Sequence, residues 1–163
     1  MPDSLEQKAR KLVKTASERG ITIGCAESCT GGWIGKCLTD VAGSSSVFMG
    51  SLVTYSNQSK LDILGIPPEI LEFYGAVSEP VATAMALQAR DLLHVDIAIS
   101  VTGIAGPDGG TADKPIGTVC FGLVKKGEKP SSFTKQFGNF DREEIRRMTV
   151  ETALDLFQKS LLI

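Results

Sequence analysis

A serine, a cysteine and a threonine stand directly before two glycines in the stretch AESCTGGWIGK, between an apolar run, ITIGCAE, and a helix-like pattern. A hydroxyl at the turn from a strand into a helix can act as a nucleophile when a base lies near it. Gly31 and Gly32 allow the backbone to approach a ligand closely, and the first N–H groups of a helix can bind an anion or an oxyanion. The pattern predicts Ser28 as the nucleophile and Thr30 as the N-cap of a helix that stops at Gly43. An ordinary capped turn without chemistry fits the same residues equally well.

A serine nucleophile needs a base, and the sequence offers few candidates. The single histidine, His94, is predicted to end a helix just before a strand, at the opposite edge of the sheet from Ser28. A lysine can serve when burial lowers its pKa, and Lys60 follows a predicted strand end in VTYSNQSK, with Tyr55 placed to hold or relay the proton. A solvated lysine and a half-buried tyrosine remain the simpler interpretation of these two residues. Cys29 is a weaker nucleophile candidate, because no histidine stands near it.

Glycines also crowd the stretch GIAGPDGG, from Gly103 to Gly110, directly after a long apolar run. Such a loop exposes N–H groups that can hold a phosphate or a carboxylate, although a flexible connection has the same composition. Arg142 and Arg146 open the last predicted helix and are candidates for a phosphate contact. The alternative for these arginines is a solvated face shared with the neighbouring glutamates.

Two common nucleotide-binding motifs fail in this sequence. The phosphate-loop pattern is broken at both ends, by Thr30 in place of its first glycine and by Cys37 after its lysine. The dinucleotide pattern fails because Ala105 stands where its middle glycine is required. The sequence therefore contains neither of these two nucleotide-binding motifs.

Hydrophobic periodicity predicts the elements that must position these residues. A first helix begins with a capping box of Ser4 and Gln7 and ends at Gly20, and another is capped by Ser78. The predicted order is α-β-α-β-α-α-β-β-β-α, with the last two strands forming a hairpin. Strands that alternate with helices predict a three-layer α/β/α sandwich around a mixed, mostly parallel sheet. Because ligands collect at the carboxyl ends of parallel strands, ESCTGG, TYSNQSK and TGIAGPDGG are expected to share one cleft.

Composition limits the partners and the compartment. A chain of 163 residues with a net charge of -2 and a pI of about 5.5 is predicted to be one domain, residues 1–163, without affinity for nucleic acid. The sequence has no apolar run of about 18 residues and no signal-peptide core, so we expect a cytoplasmic protein without membrane contact. The four cysteines have poor spacing for zinc and are expected to be buried thiols. A homodimer is the expected assembly.

Five segments in order, AESCTGG, VTYSN, GAVSEPV, GIAGPDGG and KPIGTV, resemble the nicotinamide-nucleotide amidase family, also known as the CinA (competence-damage-inducible) C-terminal domain. The resemblance covers essentially the whole chain and implies a three-layer α/β/α domain in its stand-alone form, without the large N-terminal domain of many relatives. It also implies hydrolysis of the carboxamide of nicotinamide mononucleotide to nicotinate mononucleotide and ammonia, in pyridine-nucleotide recycling, with no metal or cofactor.

Carried onto this sequence, the resemblance implies Ser28 as the nucleophile, Lys60 as the base and Tyr55 as a nearby catalytic residue. Together with the strand-end positions, it gives the candidate substrate-binding residues Thr30, Gly31, Gly32, Asn57, Thr102, Gly103, Ala105, Gly106, Arg142 and Arg146. Two other functions stay open. One is a catalytically inactive nucleotide-binding or adaptor domain linked to competence or DNA damage, which would release no ammonia. The other is a thiol enzyme that uses Cys29, which alkylating agents would block.

Overall fold

The computed structural model describes residues 2–162, which form six helices and five strands. In chain order the elements are α1 Leu5–Arg19, β1 Ile23–Glu27, α2 Trp33–Thr39, β2 Phe48–Val53, α3 Asn57–Asp62, α4 Pro68–Tyr74, α5 Glu79–Leu93, β3 Ile97–Gly103, β4 Thr118–Lys125, β5 Ser131–Gln136 and α6 Arg142–Leu161. One 3-10 turn, Ser44–Ser46, precedes β2. No helix within residues 2–162 combines the length and the apolar character needed to cross a membrane.

The five strands form one sheet in the order β2-β1-β3-β4-β5. β1 runs parallel to both of its neighbours, and β4 runs antiparallel to both of its own. Four strands therefore point the same way and β4 alone is reversed, which confirms the mixed, mostly parallel sheet. The register sets Glu27, the last residue of β1, opposite Val53 of β2 and Val101 of β3, so three carboxyl ends meet at one edge.

Helices cover both faces of the sheet and complete the predicted three layers. On one face, α1, α2 and α6 contribute Leu12, Ile34 and Phe157 to a core that also contains Cys25 of β1. On the other face, α4 and α5 pack against Ala26, the next residue of the same strand. Successive side chains of a strand point to opposite faces, so a strand covered on both sides is apolar throughout. This explains the continuous apolar runs of β1 and β3.

Most predicted helix ends are confirmed by their caps. Ser4 and Gln7 form the capping box of α1, Gly20 ends that helix with φ 62°, and the Ser78 side chain accepts from the N–H of Val81 at the start of α5. Ser56 caps α3 in the same way.

The predicted bounds of α2 are wrong at both ends. The helix begins at Trp33, two residues later than expected, because Gly31 and Gly32 adopt φ of 60° and 102°, in the left-handed region that a right-handed helix cannot contain. Thr30 is therefore not its N-cap. The helix also ends at Thr39, and Gly43 instead precedes the 3-10 turn with φ 88°.

Candidate active site

The candidate nucleophile and base come from two neighbouring strand ends. Ser28 follows β1 directly, and its N–H donates to the carbonyl of Val101 at 3.1 Å, which holds it beside the end of β3. The segment after β2 is tied to β1 by the N–H of Thr54, which donates to the carbonyl of Glu27 at 2.9 Å. α3 then turns back over this edge and brings Lys60 toward Ser28.

The Lys60 side chain is buried, with 1% of its residue surface exposed. Its Nζ lies 2.9 Å from Ser28 Oγ, 2.9 Å from the carbonyl oxygen of Thr54 and 3.3 Å from that of Tyr55. Among residues 2–162, no aspartate or glutamate forms an ion pair with it. Burial without an acidic partner lowers the pKa of Lys60, as a general base requires.

Glu27, which sequence reasoning missed, organises the turn that carries Ser28. Its carboxylate is fully buried and accepts hydrogen bonds from the hydroxyls of Thr30 and Ser51, each at 2.6 Å. It also accepts three backbone N–H groups of the α2 start, from Gly32, Ile34 and Gly35, at 3.2, 2.9 and 3.0 Å. The helix start that was expected to bind a substrate anion is thus filled by the chain's own carboxylate. The sequence signal that could have identified Glu27 is its position, since it is an acidic residue at the end of the apolar run ITIGCAE.

Arg146 lies on the other side of the same turn. Its Nε donates to the carbonyl of Cys29 at 3.0 Å and its Nη2 donates to the carbonyl of Thr30 at 2.9 Å. The guanidinium also lies over the Trp33 ring, 5.5 Å from its centroid. Arg146 was predicted to hold a substrate phosphate, but these contacts direct its guanidinium to the backbone of the turn.

A cavity of about 240 Å³ opens at this edge of the sheet. It is lined by Ser28, Cys29, Tyr55, Asn57, Lys60, Ala76, Val77, Thr102, Gly103, Ala105 and Arg142. Asn57, Thr102, Gly103, Ala105 and Arg142 therefore lie where substrate-binding residues were expected. Ala76 and Val77 were missed, although they stand in the GAVSEPV segment of the resemblance.

Five of the ten predicted substrate-binding residues do not line the cavity: Arg146, Gly106, Thr30, Gly31 and Gly32. The Thr30 hydroxyl faces Glu27, and the two glycines supply the left-handed backbone that turns the chain into α2. Through these contacts the three residues shape the turn that carries Ser28.

Tyr55 is placed differently from the predicted relay. Its side chain is exposed, and its phenolic oxygen accepts from Arg142 Nη2 at 2.8 Å at the cavity mouth. Arg142 Nη1 donates to the carbonyl of Gly106 at 2.8 Å, which joins the glycine-rich loop to this cluster. The backbone carbonyl of Tyr55, and not its phenol, contacts Lys60. A proton relay through the phenol has no hydrogen-bonded route in the described residues.

Cys29 and His94 are poorly placed for nucleophilic catalysis. Burial raises the pKa of the Cys29 thiol to about 12, so the reactive thiolate is disfavoured. All four cysteines are buried free thiols, as expected. His94 ends α5 with φ 54° and precedes β3, whose first residue, Ile97, pairs with the first residue of β1. It therefore lies at the opposite edge of the sheet from Ser28.

Comparison with known proteins gives consistent matches. The family model described as the CinA C-terminal domain matches residues 5–161. A CinA-like protein of Geotalea uraniireducens is 50% identical over 145 residues, which are 89% of this chain and 34% of that protein. The structure of competence/damage inducible protein CihA from Agrobacterium tumefaciens has a TM-score of 0.94 and 39% identity, covering 100% of this chain and 98% of that one. A competence or damage-inducible protein from Enterobacter asburiae has a TM-score of 0.92 and 33% identity, with 98% and 99% covered. The chain spans about a third of the length of its curated relatives.

Proposed function

The chain belongs to the CinA C-terminal domain family, and from this premise we propose that it is an amidohydrolase that converts nicotinamide mononucleotide to nicotinate mononucleotide and ammonia. The observation that carries the proposal is the 2.9 Å contact between Ser28 Oγ and the buried amine of Lys60. The choice of substrate rests on the resemblance of the sequence segments to nicotinamide-nucleotide amidases.

Hydrogen-bond stoichiometry supports Lys60 as the base. A lysine ammonium has three N–H donors, whereas the neutral amine has two donors and one lone pair. The carbonyls of Thr54 and Tyr55 can accept both N–H groups of the neutral amine. The lone pair is then left for the third neighbour, Ser28, whose hydroxyl can donate to it. The same three contacts would fix the ammonium after proton transfer, so little rearrangement is needed.

The proposed reaction is acyl transfer to Ser28 followed by hydrolysis. Lys60 takes the hydroxyl proton as Ser28 Oγ bonds to the amide carbon, and returns it to the departing nitrogen as the C–N bond breaks and ammonia leaves. Water, activated by the same amine, then cleaves the acyl-enzyme. Two backbone N–H groups, of Cys29 and Thr30, are available for the oxyanion. The N–H of Gly31 is not available for this role, because it donates to the carbonyl of Ser28 at 3.0 Å.

The cavity suits the reacting end of the proposed substrate. Its volume of about 240 Å³ lies below the roughly 300 Å³ at which typical ligand pockets begin. We therefore place the pyridine carboxamide inside and the ribose phosphate at the mouth. Arg142 lies at that mouth and uses two of its five N–H groups on Gly106 and Tyr55, which leaves donors for a phosphate.

Incubating the purified protein with nicotinamide mononucleotide and measuring ammonia tests the proposal. Ser28→Ala should lower kcat by more than about 10³-fold, because it removes the covalent route. Cys29→Ala keeps the backbone N–H and should retain most of the rate. Binding without ammonia release would instead favour an adaptor or nucleotide-binding domain. Loss of activity in Cys29→Ala, with full activity in Ser28→Ala, would identify a thiol enzyme.

A further inference from the structure

Two consecutive backbone N–H groups beside the nucleophile have no oxygen acceptor. Within residues 2–162, the N–H of Ser28 donates to Val101, that of Gly31 to Ser28 and that of Gly32 to Glu27, but those of Cys29 and Thr30 donate to no oxygen. Thr30 is fully buried and Cys29 is 5% exposed. Buried backbone N–H groups are rarely left without a partner, so such a pair at a nucleophile marks a place where an oxygen of the substrate can bind.

Arg146 helps to set the direction of these two N–H groups. A trans peptide is planar, so the carbonyl of one residue and the N–H of the next point in opposite directions. Because Arg146 Nε holds the Cys29 carbonyl at 3.0 Å, the N–H of Thr30 points away from the guanidinium. The Thr30 carbonyl accepts from Arg146 Nη2 at 2.9 Å and from the N–H of Trp33 at 3.1 Å, which orients the N–H of Gly31 toward the Ser28 carbonyl. That bond in turn fixes the N–H of Cys29.

We propose that Arg146 is a positioning residue for the oxyanion site of Ser28, and that its guanidinium acts by holding the carbonyls of Cys29 and Thr30. The proposal rests on the proposed acyl-transfer chemistry but not on nicotinamide mononucleotide as the substrate. Both contacts require a planar fork with two separated donors, which a lysine ammonium cannot reproduce. The Trp33 ring beneath the guanidinium further restricts its orientation.

The kinetic test compares Arg146→Lys and Arg146→Ala with wild type on two substrates. One is nicotinamide mononucleotide, and the other is p-nitrophenyl acetate, which has no phosphate. A loss of oxyanion donors costs about 10²–10³-fold in kcat. We expect both variants to lose about 10²-fold in acylation on both substrates, while the KM for nicotinamide mononucleotide stays within about twofold. The matched control is Arg147→Ala, on the same helix, because Arg147 pairs with Glu144 and Glu151 and not with the turn.

A measurement that needs no turnover uses pyridine-3-boronic acid as the probe. Its boron can bond to Ser28 Oγ and place a hydroxyl oxygen at the oxyanion position. In ¹⁵N-labelled wild type we expect the amide proton signals of Cys29 and Thr30 to move downfield on binding. In Arg146→Lys the Thr30 signal should move much less. Thermal melting establishes whether each variant is folded. If Arg146→Ala is unfolded, Arg146→Lys alone provides the test.

Three results would overturn the positioning role. The first is a wild type whose Cys29 and Thr30 amide signals do not respond to the boronate. The second is an Arg146→Lys variant with the wild-type kcat. The third is an Arg146 variant with a raised KM for nicotinamide mononucleotide and an unchanged rate on the acetate ester. That result would indicate that Arg146 binds the substrate phosphate. If wild type releases no ammonia but the boronate response depends on Arg146, the substrate assignment fails and the positioning role stands.

Discussion

Lys60 and Lys36 show how the surroundings of a lysine amine determine its protonation state. Lys36 is exposed and donates to Asp40, and this contact raises the pKa of Lys36. Lys60 is buried, contacts only neutral oxygens, and burial lowers its pKa. The first lysine is held in its charged form, which cannot accept a proton. The second is biased toward the neutral amine, the form that can deprotonate Ser28.

We expect the rate to depend on pH through the protonation of Lys60. Since the pKa of Lys60 is lowered, kcat/KM should rise with pH through an apparent pKa below the roughly 10.4 of free lysine. Lys60→Arg should be about 10²- to 10⁴-fold slower, because arginine stays charged and cannot accept the proton. The pH–rate profiles of wild type and Lys60→Arg provide the measurement. Substantial activity with an unchanged profile in the arginine variant would remove Lys60 from the mechanism.

The turn between β1 and α2 depends on one carboxylate. Glu27 accepts three backbone N–H groups, two hydroxyls and the Cys25 thiol, so all of these partners are donors. A hydroxyl can rotate to become an acceptor, but a backbone N–H cannot. The N–H of Gly35 is therefore the partner most sensitive to the loss of the Oε2 acceptor. A negative group at this position also complements the helix dipole of α2.

We expect Glu27→Gln to destabilise the turn between β1 and α2. With Oε1 kept as the acceptor, the new amide NH₂ would face the Gly35 N–H, leaving a buried donor unpaired at a cost of about 1–3 kcal/mol in the free energy of unfolding. The matched control is Glu79→Gln, because the contacts that Glu79 makes within residues 2–162 are with the hydroxyls of Ser132 and Thr134, which can reorient. Urea unfolding of both variants measures the difference. Equal stability of the two variants would contradict the anchoring role of Glu27.

Local signals at the ends of elements made much of the fold predictable. Ser4, Gln7, Gly20 and Ser78 act on neighbours within a turn or so, and each cap lies where the sequence placed it. The continuous apolar runs predicted the covered strands because both faces of β1 and β3 are buried. The error at α2 arose because Thr30 has a good capping side chain but two left-handed glycines follow it.

The sequence predicted the positions that follow from strand ends, but not the contacts between residues that are far apart in the chain. Ser28 and Lys60 follow strand ends, so topology alone placed them at one edge. The target of Arg146 was not predictable, because the arginine and the Cys29 carbonyl that it contacts are 117 residues apart. The Tyr55 phenol was misplaced for a similar reason. It faces Arg142, 87 residues away, rather than its sequence neighbour Lys60.

The burial of Lys60 also affects the stability of the whole molecule. Because its pKa is lowered on folding, the unfolded chain binds more protons between the folded pKa and about 10.4, and the free energy of unfolding rises with pH across that window. Lys60→Met should lack this contribution, so the stability of wild type relative to the variant should increase toward pH 10. Lys36→Met is the control without such a slope, because the pKa of Lys36 is raised and its contribution to stability is lost only above about pH 10.4.

Urea unfolding of wild type and both variants at several pH values between 7 and 10 measures these slopes. Differences between variants cancel titrations that all three proteins share. A wild type whose stability relative to Lys60→Met is flat, or falls, across this range would show that Lys60 is not held with a lowered pKa.

The separation of Arg146 from the Ser28 turn along the chain sets an order of events during synthesis. Translation proceeds from the N-terminus, so the ribosome makes the turn and Lys60 long before it reaches α6. Over the 117 residues that separate Cys29 from Arg146, synthesis at about 5–20 residues per second takes roughly 6–23 s. During that interval the nascent chain holds a serine and a lysine but not the guanidinium that shapes the backbone around them. The contacts of Arg146 with the turn beside Ser28 can therefore form only after α6 has been made.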